Sequence, residues 1–149
     1  MTTSPYADAD CHPASDCAFC TVIADGDELI YSDGKVAAIL DIRPLFPGHL
    51  LIMPVDHVVT LDQLPAEQAQ PLFAVVQRAS AVMATALGAE GAFVANNNIV
   101  SQSVHHLHIH VVPRRKGDGL RGFFWPRVGY DDDAHKHGVA AVLAAALRA

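Results

Sequence analysis

The stretch Val104-His105-His106-Leu107-His108-Ile109-His110-Val111-Val112 contains four of the chain's nine histidines. Successive side chains of a β-strand point to opposite faces, so this alternation predicts a strand over 104–112. Neighbours on one face of a strand lie about 6.6 Å apart. His106 and His110 are separated by twice that distance, so they cannot easily bind the same metal ion. The predicted strand therefore has an apolar face and a face of three histidines with at least two different roles: His106, His108 and His110.

Three imidazoles in a row suit chemistry better than a core. A neutral imidazole is a good nucleophile and proton carrier near neutral pH, because its unperturbed pKa is about 6.5. A central His108 with a histidine on either side fits covalent attack on phosphorus or on a carbonyl group. The alternative interpretations are a structural metal ladder and a solvated polar face.

Hydrophobic periodicity places the remaining elements around this strand. Apolar residues spaced four, three, four and four apart predict an amphipathic helix over 66–87, in which Pro65 suits the first position and Pro71 is expected to kink or restart the helix. A knuckle or helical turn is expected at 17–24 and a closing helix at 134–148. With strands expected at 28–31, 36–41, 49–53 and 92–95, the chain is predicted to be an α+β protein with an antiparallel sheet of about five strands and the long helix across one face.

Composition excludes several classes of protein. Of the 149 residues, 51% are hydrophobic and 17% are charged, which is typical of a globular chain. A net charge of -6 gives no general attraction to a nucleic-acid polymer, and no apolar run is long enough to cross a membrane. We expect a flexible arm over 1–16 and one domain over 17–149. The start of the chain has no signal-peptide pattern, which favours a cytoplasmic protein.

Two of the three cysteines form a Cys17-x-x-Cys20 pair. In a reducing cell this spacing indicates half of a zinc site, and the alternatives are two free buried thiols or a redox dithiol. Cys11, next to His12 in the N-terminal arm, is not expected to be a ligand.

The sequence Gln102-Ser103-Val104-x-His106-x-His108-x-His110-Val111 closely resembles the signature of the histidine-triad (HIT) family of nucleotide hydrolases and transferases. The stretches Asp41-Ile42-x-Pro44, Gly48-His49 and Pro54-x-x-His57 resemble the family's nucleoside-binding strands and loop. The likeness extends from about residue 17 to 113, and the sequence at 113–118 is nearer the dinucleoside polyphosphate hydrolase branch. In one departure, Ser101 stands where the family usually has glycine before the glutamine.

The resemblance implies a role for each matching residue. His108 would attack the α-phosphorus and carry a nucleoside monophosphate covalently. His110 would stabilise the phosphate beside it, and His49 would face the site from the adjacent strand. The implied substrate-binding residues are Asp41 on the ribose, Ile42 in the nucleoside-binding loop, and Asn96, Gln102 and Ser103 on phosphate oxygens.

The same likeness completes the cysteine pair. It implies a structural zinc held by Cys17, Cys20, His57 and His106, no organic cofactor, and a homodimer. The expected activity is hydrolysis or transfer at the α-phosphate of an adenine nucleotide such as a dinucleoside polyphosphate. The alternatives are a phosphoramidase acting on AMP-amines and a zinc-stabilised nucleotide-binding adaptor with little turnover.

Several further residues have open roles. The basic residues Arg114, Arg115 and Lys116 either form a solvated turn or meet the distal phosphates of a long substrate. The aromatic cluster at 123–126 either packs or stacks on a second base. His135 and His137 are expected at the surface, without a role.

Overall fold

The computed structural model describes residues 14–120 and 128–148. Two compact units divide the chain, residues 1–118 and residues 119–149. The aromatic cluster at 123–126, the Cys11-His12 pair and most of the predicted N-terminal arm lie outside the described residues, although Ala14–Asp16 form a short 3-10 turn. Within the described ranges, no helix is long and apolar enough to cross a membrane.

Over its described residues, 14–118, the first unit contains five antiparallel strands and two α-helices. The strands are β1 (Tyr31–Ser32), β2 (Val36–Leu40), β3 (Leu50–Pro54), β4 (Gly91–Ala95) and β5 (Ile109–Arg114), in the sheet order β1-β2-β3-β5-β4. The helices are α1 (Ala18–Asp25) and α2 (Ala66–Leu87). The predicted α+β class with five antiparallel strands is confirmed.

Period-two alternation in the strands divides the core into two layers. Ala38 and Ile52 face α2 and pack in a cluster with Leu72, Val76 and other apolar residues of that helix. On the opposite face, the cluster of Ala37, Ile39, Leu51 and Met53 packs against apolar side chains of α1. Since β5 pairs Leu51 with His110, the third histidine lies on the α1 side of the sheet.

The predicted histidine strand was too long at its start. Residues 103–106 form a bend, residues 107–108 have no regular secondary structure, and β5 begins only at Ile109 and continues through Pro113 to Arg114. The reason lies in local hydrogen bonds: the His106 N–H donates to the Val104 carbonyl, and the Leu107 N–H donates to the Val58 carbonyl. His106 and His108 therefore precede the strand instead of lying on its face with His110.

Two other predictions needed correction. Pro71 does not restart the long helix, which runs without interruption through Ala66–Leu87. The first strand was expected at 28–31 but contains only Tyr31–Ser32, before a turn in which the Asp33 carboxylate accepts two backbone N–H bonds.

The second unit contains the helix α3 (Asp133–Ala146), which agrees with the predicted closing helix. Asp132 caps its N-terminus by accepting a hydrogen bond from the His135 N–H at 2.7 Å. None of its side chains is buried.

Candidate functional site

His108 is buried directly before β5 and has a defined hydrogen-bonding role on one side of its ring. Its Nδ1–H donates to the His106 carbonyl oxygen at 2.7 Å, which places the proton on Nδ1. Burial lowers the pKa of His108 below its ordinary value. The ring is therefore neutral at physiological pH, and its Nε2 carries a lone pair suited to nucleophilic attack.

His49 and His110 form a second histidine pair next to His108. The Leu45 N–H donates to His49 Nδ1 at 3.2 Å, so the His49 proton lies on Nε2. His49 Nε2 donates to His110 Nδ1, and the two nitrogen atoms are 2.9 Å apart. This leaves the His110 proton on its own Nε2. Burial, followed by the neighbouring His108 and His49, lowers the pKa of His110 to about 4. His110 is therefore a neutral ring with an N–H donor available for an oxygen atom.

A cleft of about 200 Å³ adjoins these histidines. Apolar side chains line one part of it, including Phe19 and Val22 from α1 and Ile39 and Leu51 from the sheet. A mostly apolar cleft with a few convergent polar groups is typical of a small-molecule site. Five residues predicted for catalysis or substrate binding line it: Asp41, Ile42, Ser103, His108 and His110.

The amides of Asn96 and Gln102 are engaged with the backbone. Asn96 Nδ2 donates to the His108 carbonyl at 2.9 Å. Gln102 is buried, where its Nε2 donates to the Val59 carbonyl at 2.7 Å and its Oε1 accepts from the Ile99 N–H at 2.8 Å. Asn96 therefore holds the backbone at His108, and Gln102 holds the loop that precedes it, positioning roles that the sequence did not reveal. Their predicted contacts with phosphate oxygens stay predictions.

Ser101 occupies a backbone conformation that favours glycine. Its φ is 63°, in the left-handed region, so the loop keeps the turn that a glycine at this position would adopt without strain. The departure from the family pattern is therefore accommodated in the backbone of this loop.

We expect Ser101→Gly to stabilise the protein. The left-handed conformation costs a non-glycine residue roughly 1–2 kcal/mol, and the greater freedom of glycine in the unfolded chain offsets about 0.4–1 kcal/mol of that gain. The net effect, roughly 1 kcal/mol, should raise the Tm by a few degrees in a thermal unfolding experiment. The control is Ser103→Gly, which lacks a positive φ and should lower the Tm; an equal loss in both variants would contradict the strain argument.

Four side chains predicted as zinc ligands meet on the other side of His106. The ligand atoms of Cys17, Cys20, His57 and His106 all lie within 4.8 Å of one another. His106 Nδ1 is 3.5 Å from each of the two sulfur atoms, and His57 Nδ1 is 3.3 Å from the Cys20 sulfur. Zinc bonds of about 2.3 Å to sulfur and about 2.0 Å to nitrogen at tetrahedral angles imply sulfur-to-nitrogen distances of about 3.5 Å. The cluster therefore has the donor set and the spacing of a tetrahedral zinc site.

Surrounding groups orient this cluster as a metal site requires. His106 Nε2 lies 2.8 Å from the Pro54 carbonyl oxygen, to which it donates, so the Nδ1 lone pair faces the sulfur atoms. Burial lowers the pKa of His106 to about 4, which keeps the ring neutral. Burial and the neighbouring Cys17 raise the pKa of Cys20 to about 11, so metal binding here would release a thiol proton.

Sequence reasoning missed Phe19 as part of the site. Its ring is 5.1 Å from that of His108 in an edge-to-face arrangement, and it lies between the two cysteines in the chain. A hydrophobic residue between two cysteines can be recognised as part of the site only when the cysteines are known to lie beside the histidines. The basic residues at 114–116 are not among the cleft lining; Arg115 instead donates to the Leu87 and Gly88 carbonyls at the end of α2.

Comparison with known sequences identifies similar proteins in several organisms. An uncharacterized HIT-like protein of Mycobacterium tuberculosis is 43% identical over 109 residues, covering 70% of this chain and 75% of that protein. Adenylylsulfatase HINT3 of Arabidopsis thaliana is 33% identical over 110 residues, 71% of this chain and 56% of that protein. The asymmetrical bis(5'-nucleosyl)-tetraphosphatase of Schizosaccharomyces pombe is 30% identical over 95 residues, 62% of this chain and 52% of that protein.

Solved structures share the fold. A HIT family protein from Bacillus anthracis aligns with a TM-score of 0.78 at 28% identity, covering 90% of this chain and 99% of that one. A zinc-bound histidine triad family protein from Mycobacterium smegmatis aligns with a TM-score of 0.67 at 36% identity, covering 89% and 96%. A family model described as the HIT domain matches residues 25–117. The chain belongs to the HIT family, whose members include nucleotide-binding hydrolases and transferases.

Proposed function

We propose that the chain is a hydrolase or transferase that cleaves at the α-phosphate of an adenine nucleotide, with dinucleoside polyphosphates as the favoured substrate class. The observation that carries the proposal is the neutral His108, whose Nδ1–H is held by a backbone carbonyl and whose ring lines the cleft. The sequence likeness to a bis(5'-nucleosyl)-tetraphosphatase and to an adenylylsulfatase supports the reaction class.

In the proposed first step, His108 Nε2 attacks the α-phosphorus. A phosphorus–nitrogen bond forms while the bond to the leaving-group oxygen breaks, and the leaving group takes that electron pair. Water or another acceptor then attacks phosphorus and displaces the imidazole, releasing the nucleoside monophosphate or its transfer product. Dividing one substitution into two steps lowers each barrier, because the first step places a good leaving group on phosphorus.

Neighbouring residues have defined places in this scheme. The His110 Nε2–H donates to a phosphate oxygen, and the Nε2–H of His49 fixes the proton position on His110. Asp41, which lines the same cleft with a carboxylate oxygen 3.6 Å from His49 Nδ1, accepts from the ribose hydroxyls. Ser103 contacts the phosphate, and Asn96 and Gln102 hold the backbone around Ser103 and His108 in place.

The proposal includes a structural zinc and a dimer. Zinc bound by the Cys17, Cys20, His57 and His106 cluster would fix α1 to the segment before β5. That a similar protein from Mycobacterium smegmatis is zinc-bound supports zinc binding here. Since β4 forms one end of the sheet order, its outer edge offers backbone groups to a second copy. The substrate assay tests neither of them and is made on the zinc-loaded chain.

A substrate panel tests the reaction class. We expect the purified chain to release AMP from diadenosine triphosphate or tetraphosphate, and mass spectrometry of acid-free quenched samples to detect an increment of one AMP on the intact chain. The panel includes an AMP-amine and adenylylsulfate, because the proposed attack is on the α-phosphorus and these compounds differ from the dinucleotides in their leaving groups. Nucleotide binding without turnover of any compound would contradict the enzyme proposal and favour an adaptor.

A further inference from the structure

The cysteine–histidine cluster and the proposed nucleophile are joined by two physical connections. The first is the His106 segment: the His106 ring takes part in the cluster, and its carbonyl oxygen accepts the His108 Nδ1–H at 2.7 Å. The second is Phe19, which precedes one cysteine of the cluster and follows the other. Both connections act on the same imidazole ring.

The ring of Phe19 contacts both histidines. Its edge-to-face arrangement with His108 has a centroid distance of 5.1 Å and an interplanar angle of 86°, and its distance to the His106 ring is 6.1 Å. Aromatic rings attract each other more strongly in this edge-to-face geometry than in a face-to-face stack, so the contact favours one relative orientation of the two rings. Phe19 therefore restricts rotation of the ring whose Nε2 must face phosphorus.

Helix α1 is short and depends on the cluster at its start. Cys17 is its N-cap, and the Cys17 sulfur accepts from the Cys20 N–H at 3.5 Å. Ligation of both sulfurs would fix the first turn, and with it the position of Phe19, relative to His106. Loss of the ion would leave eight residues of helix held by the packing of a few apolar side chains.

We infer that Phe19 is a positioning residue through which occupancy of the cysteine–histidine cluster controls the orientation and tautomer of His108. The inference rests on the proposed function. In the metal-loaded chain, His108 is held with its proton on Nδ1. In the metal-free chain, the ring rotates and populates both tautomers. Misplacement of a reacting group by about 1 Å costs roughly 10²-fold in rate, so the effect should appear in kcat.

The test uses nuclear magnetic resonance of the full chain labelled with ¹⁵N-histidine. Two-bond proton–nitrogen correlations distinguish a ring protonated on Nδ1 from one protonated on Nε2. We expect one Nδ1–H signal set for His108 in the zinc-loaded chain, and averaged or doubled signals in Phe19→Leu and in the wild-type chain after zinc removal. Phe19→Tyr, which keeps the ring, should restore the single set.

A kinetic arm separates positioning from direct contact with the nucleotide, because Phe19 also lines the cleft. Val22→Ala is the matched control: Val22 lies on the same helix and in the same lining but has no ring contact with His108. We expect Phe19→Leu to lower kcat about tenfold or more with a small change in KM, and Val22→Ala to change mainly KM.

Each outcome decides the inference. An unchanged His108 tautomer in both Phe19→Leu and the zinc-free chain would overturn it, as would a change in KM alone for Phe19→Leu. The spectra require no turnover, so they remain decisive if the chain hydrolyses none of the tested nucleotides. Conversely, if the wild-type chain gives the expected spectra but forms no AMP adduct, the proposed function is contradicted and the positioning role of Phe19 still holds.

Discussion

His108→Ala should reduce turnover of the preferred nucleotide by at least roughly 10³-fold and abolish the AMP adduct on the intact chain. The expectation follows from the division of roles among the histidines: His108 has its Nδ1 proton committed to the His106 carbonyl, and His110 has its Nδ1 committed to His49. His110 therefore has no free nitrogen lone pair with which it could replace His108 Nε2 as the nucleophile. Removing a nucleophile eliminates the two-step route, and the residual rate comes from binding and oxyanion stabilisation alone.

The measurement combines steady-state kinetics with mass spectrometry of the quenched enzyme. His137→Ala is the control, because His137 lies on α3, outside the proposed machinery, and should leave both kcat and the adduct unchanged. Substrate affinity of His108→Ala, measured by calorimetry, should stay within a few-fold of wild type. Turnover at the wild-type rate, or an adduct that persists in the variant, would remove His108 from the role of nucleophile.

Much of this site could be predicted from the sequence because its parts use short-range patterns. The alternation of histidines with Leu107 and Ile109 places the rings near a core strand, and the apolar residues of the pattern are buried. The Cys17-x-x-Cys20 spacing predicted two ligands on one helical turn. The helix over 66–87 agrees with α2 to the residue, since a long amphipathic period with glycine after it is a strong signal.

What the sequence could not provide depends on contacts between distant segments. The strand starts late because the Leu107 N–H donates to the Val58 carbonyl, which is distant in the chain, and not to a neighbouring strand. The tautomers of His106 and His110 are likewise set by Pro54 and His49, which pair with them only after the sheet forms. Phe19 gained a role only because α1 covers the sheet face that carries His110.

Cys17→Ser should remove the bound zinc and lower the Tm by roughly 10 °C. Cys17 is buried, with 3% of its surface exposed, and its sulfur lies 3.5 Å from His106 Nδ1. An ion present at about 1,000 times its dissociation constant stabilises the folded state by roughly 4 kcal/mol, and each kcal/mol shifts the Tm of a chain of this size by roughly 2–4 °C. Cys17 is also the N-cap of α1, and serine is a preferred N-cap residue. Cys17→Ser therefore keeps the helix cap and removes only the metal ligand.

Atomic absorption gives the zinc stoichiometry and calorimetry gives the Tm. The control is Cys11→Ser, which removes a thiol that the sequence does not assign to the cluster and should retain one zinc per chain. Chelation should lower the Tm of the wild type to that of Cys17→Ser and leave the variant unchanged, because both then lack the same ion. One full equivalent of zinc on Cys17→Ser would exclude this ligand set, and a wild-type Tm insensitive to complete zinc removal would exclude a structural role for the ion.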